Sequence, residues 1–534
     1  MYSQKISLLK VIYLLSLPII CSACANIVSP QGGIKDVDPP KVVKCTPTDR
    51  STNFQSKEIT IFFDEYIQPV TSSNDIIFNP QPRSQPKIST KAKSIKVSFE
   101  NNLEPNTTYT INFGKSISDY NEGNILKDFS YCFSTGASLD TLSYKASILN
   151  ASTMEPIKNT KLLLYNNFSD SSIINRSPDY MAICNETGNV TISNLGPKSF
   201  YAIALADENN NNKADDGEKL SIEKRIYITD GKNFLDTFLI FDYRHIKPQS
   251  LISLKSPENG IFVFSFDSNA GKLNIKPYGK FIQKPFDFEI RSQDKKQIVY
   301  YSSAFLFSDS SKFEINDSAG FNTVVSCINS KSKSLSVSTN IIQANYIPGD
   351  SFEIVSSVPI SSVNSSKIKL LEDSFPVQEI NFTQHTNKIN LSYKFKPGSS
   401  YILMCDSGAF FDFRMFPSPS YQYAFIAASE ESTSSIGFNI SGLKDCQVIL
   451  QLLNAPTGAI YRQKIINKNL NVSFGFITPG KYKLRIIEDI NNNSAWDSGD
   501  FFLKQKPERV FVHPDEFIVK QNLEIDKIEI FLPF

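Results

Sequence analysis

Oxygen-bearing side chains recur at fixed spacing in two twelve-residue stretches, DENNNNKADDGE from Asp207 to Glu218 and DINNNSAWDSGD from Asp489 to Asp500. At positions 1, 3, 5, 7, 9 and 12 the first offers Asp207, Asn209, Asn211, the Lys213 carbonyl, Asp215 and Glu218. The second offers Asp489, Asn491, Asn493, the Ala495 carbonyl, Asp497 and Asp500. A short loop with this spacing can wrap a hard cation, and three carboxylates per loop suit calcium at extracellular strength. Position 6 needs a sharp turn and holds Asn212 and Ser494 in place of glycine. The competing expectation is an Asn/Asp/Gly hairpin loop held by side-chain to backbone hydrogen bonds, with no ion. Glu218 can reach a cation with both oxygens while Asp500 is one methylene shorter, so the first loop is expected to bind more strongly. Trp496, at position 8, is expected to pack inward.

The segments leading into both loops, Tyr201 to Ala206 and Lys483 to Ile487, are expected to be strands, so the loops are not EF-hands with paired helices. Nearly every apolar segment alternates with period two, as in Ser94 to Phe99 and Thr108 to Phe113. With Lys41 to Cys45, Glu58 to Phe63, Asp75 to Asn79, Pro86 to Ser89 and Phe129 to Ser134, the first hundred mature residues read as an antiparallel β-sandwich. The turn Leu103-Glu-Pro-Asn-Thr-Thr-Tyr109 is echoed by Phe395-Lys-Pro-Gly-Ser-Ser-Tyr401. Asn194-Leu-Gly-Pro-Lys-Ser-Phe-Tyr201 is echoed by Ile477-Thr-Pro-Gly-Lys-Tyr482. These echoes order the chain as A (38–136), B (137–245), C (246–345), A′ (346–422) and B′ (423–534), with C an unpaired sandwich and Phe410 to Tyr423 a linker.

The first residues carry an address. Lys5 and Lys10 precede an apolar run from Val11 to Ile20, too short to span a bilayer, and small residues lead to Cys24. Residues 1–23 are therefore expected to be a signal peptide. Cys21-Ser22-Ala23-Cys24 resembles a bacterial lipobox, which implies diacylglycerol on Cys24 and membrane attachment through that lipid anchor. Residues 24–37 would be the tether; a soluble secreted product is the alternative.

Removing residues 1–23 takes away Lys5 and Lys10 and no acid, moving the formal charge from +1 to −1. Neither nucleic acid nor an anionic membrane face is indicated as a partner. Forty-one Phe and 22 Tyr supply ample core, mostly of the β-favouring kind. The cysteines beyond the signal form no C-x-x-C pair and read first as buried small side chains, with Cys45 and Cys132 the one pairing worth testing.

The motifs Gln31-Gly-Gly-Ile-Lys-Asp-Val-Asp-Pro-Pro40, Phe62-Phe-Asp-Glu-Tyr66, Pro105-Asn-Thr-Thr-Tyr-Thr-Ile-Asn-Phe113 and Phe133-Ser-Thr-Gly136 resemble the Bacteroidota family of lipoproteins that open with an SbsA-type bacterial Ig-like domain. Pro479-Gly-Lys-Tyr-Lys-Leu484, Trp496-Asp-Ser-Gly499 and Lys504-Gln-Lys-Pro-Glu-Arg-Val510 resemble that family's tail. The chain is expected to be all-β, with tandem Ig-like (A, A′) antiparallel β-sandwiches and B and B′ units that resemble transthyretin-like or carboxypeptidase-regulatory-like sandwiches. The resemblance to the lipoprotein family also implies an envelope lipoprotein without known catalysis, on the outer membrane. Ala25 to Ser29 lacks the acidic residues that direct export to the surface in this group, so the periplasmic and surface faces both stay open.

Enzyme signatures are missing. His245, His385 and His513 are the only histidines, and there is no H-E-x-x-H, G-x-S-x-G or phosphate-binding glycine loop. Asp64 and Glu65 are neighbours on a strand and point to opposite faces, so they are not expected to converge on one atom. The sequence therefore leads to a non-catalytic structural or interaction scaffold, with a glycan-binding surface protein and an accessory subunit of an outer-membrane barrel as alternatives.

Overall fold

The computed structural model describes residues 36–70, 76–228, 235–243, 250–267, 273–280, 286–292, 296–316, 322–341, 343–443 and 446–532. The signal peptide, Cys24, the first part of the tether and His245 lie outside the described residues. The chain is nearly all β, a string of antiparallel sandwiches. Among the described residues no helix is long and apolar enough to cross a membrane.

Alternation builds domain A. In Glu58–Phe63 and Ser94–Ser98, Ile59 lies opposite Val97 and Ile61 opposite Ile95, and all four are fully buried. One sheet runs Val42–Thr46, Glu58–Phe63, Ser94–Ser98, Lys87–Lys91; the other runs Ile77–Asn79, Thr108–Asn112, Ser130–Ser134. Counted along the chain, the strand order is first, second, fifth, fourth over third, sixth, seventh. Phe54, Phe99, Tyr109 and Phe133 fill the space between the sheets with ring contacts.

Domain C was expected to be unpaired, and its strands correct that expectation. Leu251–Glu258, Ile261–Phe266, Gln297–Ser302 and Asp287–Arg291 pair in that spatial order, over Asn274–Pro277, Ser310–Asn316 and Asn322–Ile328. This is the strand order of A. A′ has it again: Val337–Thr339, Phe352–Ser356, Lys388–Ser392 and Asn381–His385 over Ile368–Glu372, Ser400–Cys405 and Tyr421–Ala427, with short edge strands added. C is the sandwich expected, but its kinship with A and A′ is hidden in the sequence because C lacks the proline-to-tyrosine turn those two share. In those two, the same hydrogen bond recurs: the Glu104 N–H donates to the Tyr109 hydroxyl at 3.0 Å and the Lys396 N–H to the Tyr401 hydroxyl at 2.8 Å.

The sheets of A′ also begin before residue 346 and end after residue 422. Val337–Thr339 pairs with Phe352–Ser356, and Tyr421–Ala427 pairs with Ser400–Cys405. Phe410 to Tyr423 is therefore no linker. Phe410–Asp412 pairs with Ile360–Val363, and Tyr421, Tyr423 and Phe425 alternate along the last strand, with Phe425 in the core.

B and B′ share a second architecture of eight strands each. In B, Tyr180–Ile183, Thr160–Tyr165, Ser199–Ala206 and Lys219–Leu220 lie side by side, with Lys224–Tyr227 also on Ser199–Ala206. In B′, Ile460–Ile466, Gln447–Asn454, Gly480–Asp489 and Val510–Val512 follow the same order, with Phe517–Val519 on Gly480–Asp489. The opposite layers also agree. The last strand of each unit pairs in parallel with its first, Leu235–Asp242 with Leu142–Asn150 and Glu524–Phe531 with Ser434–Ser441.

Contacts between units close the chain on itself. The Asn79 carboxamide bonds both backbone groups of Met181, joining A to B. Arg414, nearly fully buried, pairs with Asp412 and reaches Glu258 at 3.4 Å, joining A′ to C. Arg462 bonds Asp350 at 3.0 Å, joining B′ to A′. B′ then returns to B, where Phe501 enters the core formed by Leu163, Ile173 and Tyr243.

Candidate metal-binding loops

Both loops start where a long central strand ends. Ser199–Ala206 pairs with Thr160–Tyr165 up to Ala206 opposite Thr160, so Asp207 is the first residue past the ladder. Its carboxylate is buried, and Lys161, from the paired strand, is buried against it. The Lys161 ammonium bonds Asp207 Oδ2 at 2.7 Å and Asn212 Oδ1 at 2.8 Å. Asp207 also accepts the N–H groups of Asn211 at 3.2 Å and Asn212 at 2.8 Å.

The rest of the first loop is organised by its own oxygens. Asn209 Oδ1 accepts the Asn211 N–H and Asn211 Oδ1 accepts the Lys213 N–H, two successive Asx-turns. The two carboxamide nitrogens donate to Asp215 Oδ2 at 2.7 and 2.6 Å. Glu218 closes the loop, with Oε1 accepting the Glu208 N–H at 3.0 Å and Oε2 the Asp215 N–H at 2.9 Å. Burial pushes its carboxyl pKa up, and Asp207 and Asp215 add to that; the two N–H donors pull the other way.

The second loop repeats this pattern position by position until residue 497. Asp489, also buried, accepts the N–H groups of Asn493 at 3.0 Å and Ser494 at 2.9 Å. Asn491 and Asn493 make the same Asx-turns, the latter to Ala495, and donate to Asp497 at 2.6 and 2.9 Å. Position 6 adopts positive φ in both, 59° at Asn212 and 64° at Ser494. Trp496 packs against Ile449, Ile487 and Val510, and its indole N–H donates to the Glu508 carbonyl at 3.2 Å.

Two departures follow. Against Asp489 stands Gln447, whose carboxamide donates to Oδ2 at 2.7 Å, where the first loop has a lysine. The closing carboxylate is Glu508, whose oxygens accept the N–H groups of Ile490 at 2.8 Å and Asp497 at 3.0 Å, the roles of Glu218 in the first loop. Burial raises its pKa too, with Asp497 and Asp489 adding to the effect.

Asp500 does not join this group. It bonds the Leu503 N–H at 3.0 Å and pairs with Gln505 at the base of a small hairpin inserted between Asp497 and Glu508. Gly499 lets that hairpin close, because a Cβ there would meet the Gln505 carbonyl at 2.7 Å and the Pro507 nitrogen at 2.8 Å. The hairpin tip is a clasp on B. Phe501 and Phe502 contact Tyr243, and the Lys504 ammonium bonds Asp170 at 2.6 Å and Glu223 at 2.9 Å.

The structure thus gathers Asp207, Asn209, Asn211, Asp215 and Glu218 in one loop and Asp489, Asn491, Asn493 and Asp497 in the other. Lys213 and Ala495 enter through their N–H groups. Sequence reasoning missed Lys161 and Glu508. The signal for Glu508 was its place in Lys-Pro-Glu-Arg-Val510, already noted as a motif. Among the described residues no set of three or more His, Cys, Asp or Glu side chains is drawn together as a metal cage. The loop oxygens instead accept N–H donors, the geometry of the hairpin expectation.

Elsewhere the titratable groups serve structure. Asp64 accepts the Lys41 N–H at 2.8 Å, and Asp119 holds the N–H groups of Glu122, Gly123 and Asn124. The six described cysteines, Cys45 and Cys132 among them, are free thiols.

Residues 36–135 match the bacterial Ig-like domain. The Ig-like domain is domain A, and it points to a non-catalytic fold. No curated protein matches the chain. Among solved structures, domains A168–A170 of titin are similar at 8% identity, covering 46% of this chain and 93% of that one, with a TM-score of 0.16. SGBP-B of the Bacteroides ovatus mixed-linkage glucan utilization locus, solved with a mixed-linkage heptasaccharide, is similar at 10% identity over 64% of this chain and 89% of that one, with a TM-score of 0.20. The S-layer protein SbsC is similar at 8% identity over 84% of this chain and 65% of that one, with a TM-score of 0.14.

Proposed function

We propose that this chain is a non-catalytic envelope lipoprotein, held on the outer membrane by acylated Cys24, that works as a scaffold for another envelope component. The observation that supports this reading is the set of contacts between domains: buried Arg414 reaching Glu258, the Arg462–Asp350 pair and the Phe501 clasp each join one sandwich to another. A chain built this way holds its surfaces in fixed relation, which suits presentation to a partner. The test is purification of the acylated protein from native membranes, beside Cys24→Ser. The wild type should stay with membranes and bring a stoichiometric partner, a barrel or another envelope protein, and Cys24→Ser should be released. A wild type that elutes alone would count against the scaffold role, and a membrane-bound Cys24→Ser against the anchor.

A second reading, glycan binding, draws on one surface of B. Tyr227 is 67% exposed, Arg225 lies 5.4 Å from its ring and 5.8 Å from that of Tyr201, and Phe168 stacks on Tyr201 at 5.8 Å. Such a row offers aromatic faces to sugar C–H groups. Glycan-array binding that is lost in Tyr227→Ala would support it; no binding by the wild type would remove it.

Calcium enters the proposal at the loop of B′ more than at that of B. Asp207, Asp215 and Glu218 organise the first turn and Asp489, Asp497 and Glu508 the second; an ammonium is bonded to Asp207, whereas a neutral carboxamide is bonded to Asp489. A carboxylate oxygen that accepts one N–H keeps further lone pairs for an ion.

A further inference from the structure

Where B′ returns to B, the two units enclose a cleft of about 290 Å³. B lines it with Thr153 and Glu155, B′ with Asn454, Thr457, Lys483 and Arg485. Lys483 is balanced by Glu155 at 3.3 Å and Glu516 at 3.7 Å. Arg485 is not balanced. Its Nε–H donates to Gln451 Oε1 at 2.8 Å and Nη1 to the Ser152 carbonyl, across the domain boundary, at 3.3 Å. No carboxylate among the described residues pairs with it, whereas Arg414, Arg462 and Arg509 each have one.

Arg485 is half-buried; a guanidinium partly withdrawn from water without a counter-charge carries a cost that an anion placed against it recovers. Burial lowers the Arg485 pKa. The group is also held in place. Gln451 is buried and donates its Nε2–H to Gln463 at 2.7 Å, which turns its Oε1 toward Arg485. A fixed guanidinium with donors left over is suited to a planar or forked oxyanion, which it can take in bidentate fashion.

We propose that the B/B′ cleft binds an acidic group, a carboxylate or a sulfate ester, on a ligand about the size of one sugar ring. The volume lies near the lower end of ligand pockets. Arg485 supplies the charge and the fork, and Thr153 a neutral hydroxyl from the opposite unit. The site is complete only when B and B′ are docked, because the Ser152 carbonyl that helps orient Arg485 belongs to B. This inference goes beyond the scaffold reading and does not depend on it.

Calorimetric titration of the full chain with D-glucuronate, D-glucose 6-sulfate and D-glucose tests it. At least one acid should bind and neutral glucose should not; the acid that binds more tightly identifies carboxylate or sulfate as the preferred group. Arg485→Gln should weaken that binding by at least about tenfold, as expected for loss of a desolvated charge pair. Lys504→Glu, remote from the cleft but opposed to Asp170 and Glu223, should also weaken it by loosening the clasp, and covers the case in which Arg485→Gln does not fold. Two acids that bind no better than glucose, or binding unchanged in Arg485→Gln, would overturn the proposal.

Discussion

The loops of B and B′ share a backbone and differ in what stands against the first carboxylate. In B, a buried ammonium answers Asp207; in B′, a neutral carboxamide answers Asp489. Three carboxylates organise each turn, Asp207, Asp215 and Glu218 in B and Asp489, Asp497 and Glu508 in B′, and the ammonium bonded to Asp207 offsets part of that charge in B. A second difference concerns closure. Glu218 closes the first loop from position 12, while Glu508 closes the second from beyond an inserted hairpin. Duplication has kept the hydrogen bonds of the turn and changed its electrostatics and its reach. The first loop is a self-contained corner, and the second doubles as the root of an interdomain clasp.

The sharpest way to break this comparison is to remove the partner of each first carboxylate. Lys161→Met leaves Asp207 buried beside no cation and should destabilise the protein by about 3–5 kcal/mol. Gln447→Met removes one neutral donor from Asp489 and should cost about 1–3 kcal/mol. Urea unfolding of the two variants measures both. Equal losses would mean that the lysine contributes no more than a hydrogen bond.

The closure assignment predicts the next largest contrast. Glu508→Ala strips the acceptor from two loop N–H groups and should cost roughly 2–4 kcal/mol, on the scale of charge-assisted hydrogen bonds. Asp500→Ala loses a cap on an exposed hairpin and should cost under about 1 kcal/mol. A reversed order would return the closing role to position 12.

Why some of this was legible in the sequence and some was not follows from how far each signal reaches. The strands of A were readable to within a residue or two, because alternation such as Ile59, Ile61, Phe63 is a local property. The Asx-turns at Asn209 and Asn211 were readable for the same reason, since their acceptors and donors are two residues apart. Lys161 lies forty-six residues before Asp207, and its burial depends on a strand pairing that no local pattern announces. It opens an apolar run, Thr160–Tyr165, that is buried throughout, and a lysine there needed a counter-charge. Glu508 was displaced by the insertion, so the fixed spacing pointed to Asp500. The kinship of domain C with A and A′ was hidden because its topology is shared while its turn motif is not.

The ammonium on Asp207, absent from Asp489, then ranks the loops for calcium, reversing the order expected from the length of Glu218 against Asp500. Calcium at about 100 times its dissociation constant should stabilise one site by about 2.7 kcal/mol. Most of the rise in melting temperature should vanish in Asp489→Ala, and less in Asp207→Ala. Lys161→Gln should bring the first loop's response up toward the second's. Acid should weaken the response. Burial raises the pKa of Glu218 and Glu508 above the ordinary 4.5, so their protonated forms persist to higher pH in the folded state. Without ion, such groups favour the fold below the ordinary value, and that contribution is lost as pH rises through the raised one. Calcium must displace those protons, so its effect should fall as pH drops toward the raised carboxyl pKa values. Identical melting in calcium and in chelator would leave both loops as hydrogen-bonded hairpins.

The smallest expected effect separates the loops by sign. Position 6 has positive φ in both, where a side chain other than asparagine is strained. Ser494→Gly relieves that strain while keeping the N–H that Asp489 accepts, and among the described residues the serine hydroxyl has no hydrogen-bond partner to lose. The gain should be about 0.5–1 kcal/mol, reduced by the extra freedom glycine gives the unfolded chain. Asn212→Gly has less strain to relieve, because asparagine tolerates the left-handed region. It also removes the oxygen that accepts the Lys161 ammonium at 2.8 Å, leaving a buried donor short of one partner. That change should destabilise by about 1 kcal/mol or more. The same substitution at the same loop position should therefore raise the melting temperature in B′ and lower it in B. Shifts of one sign at both sites would mean that backbone strain alone governs position 6 and that Lys161 is not part of the first loop's structure.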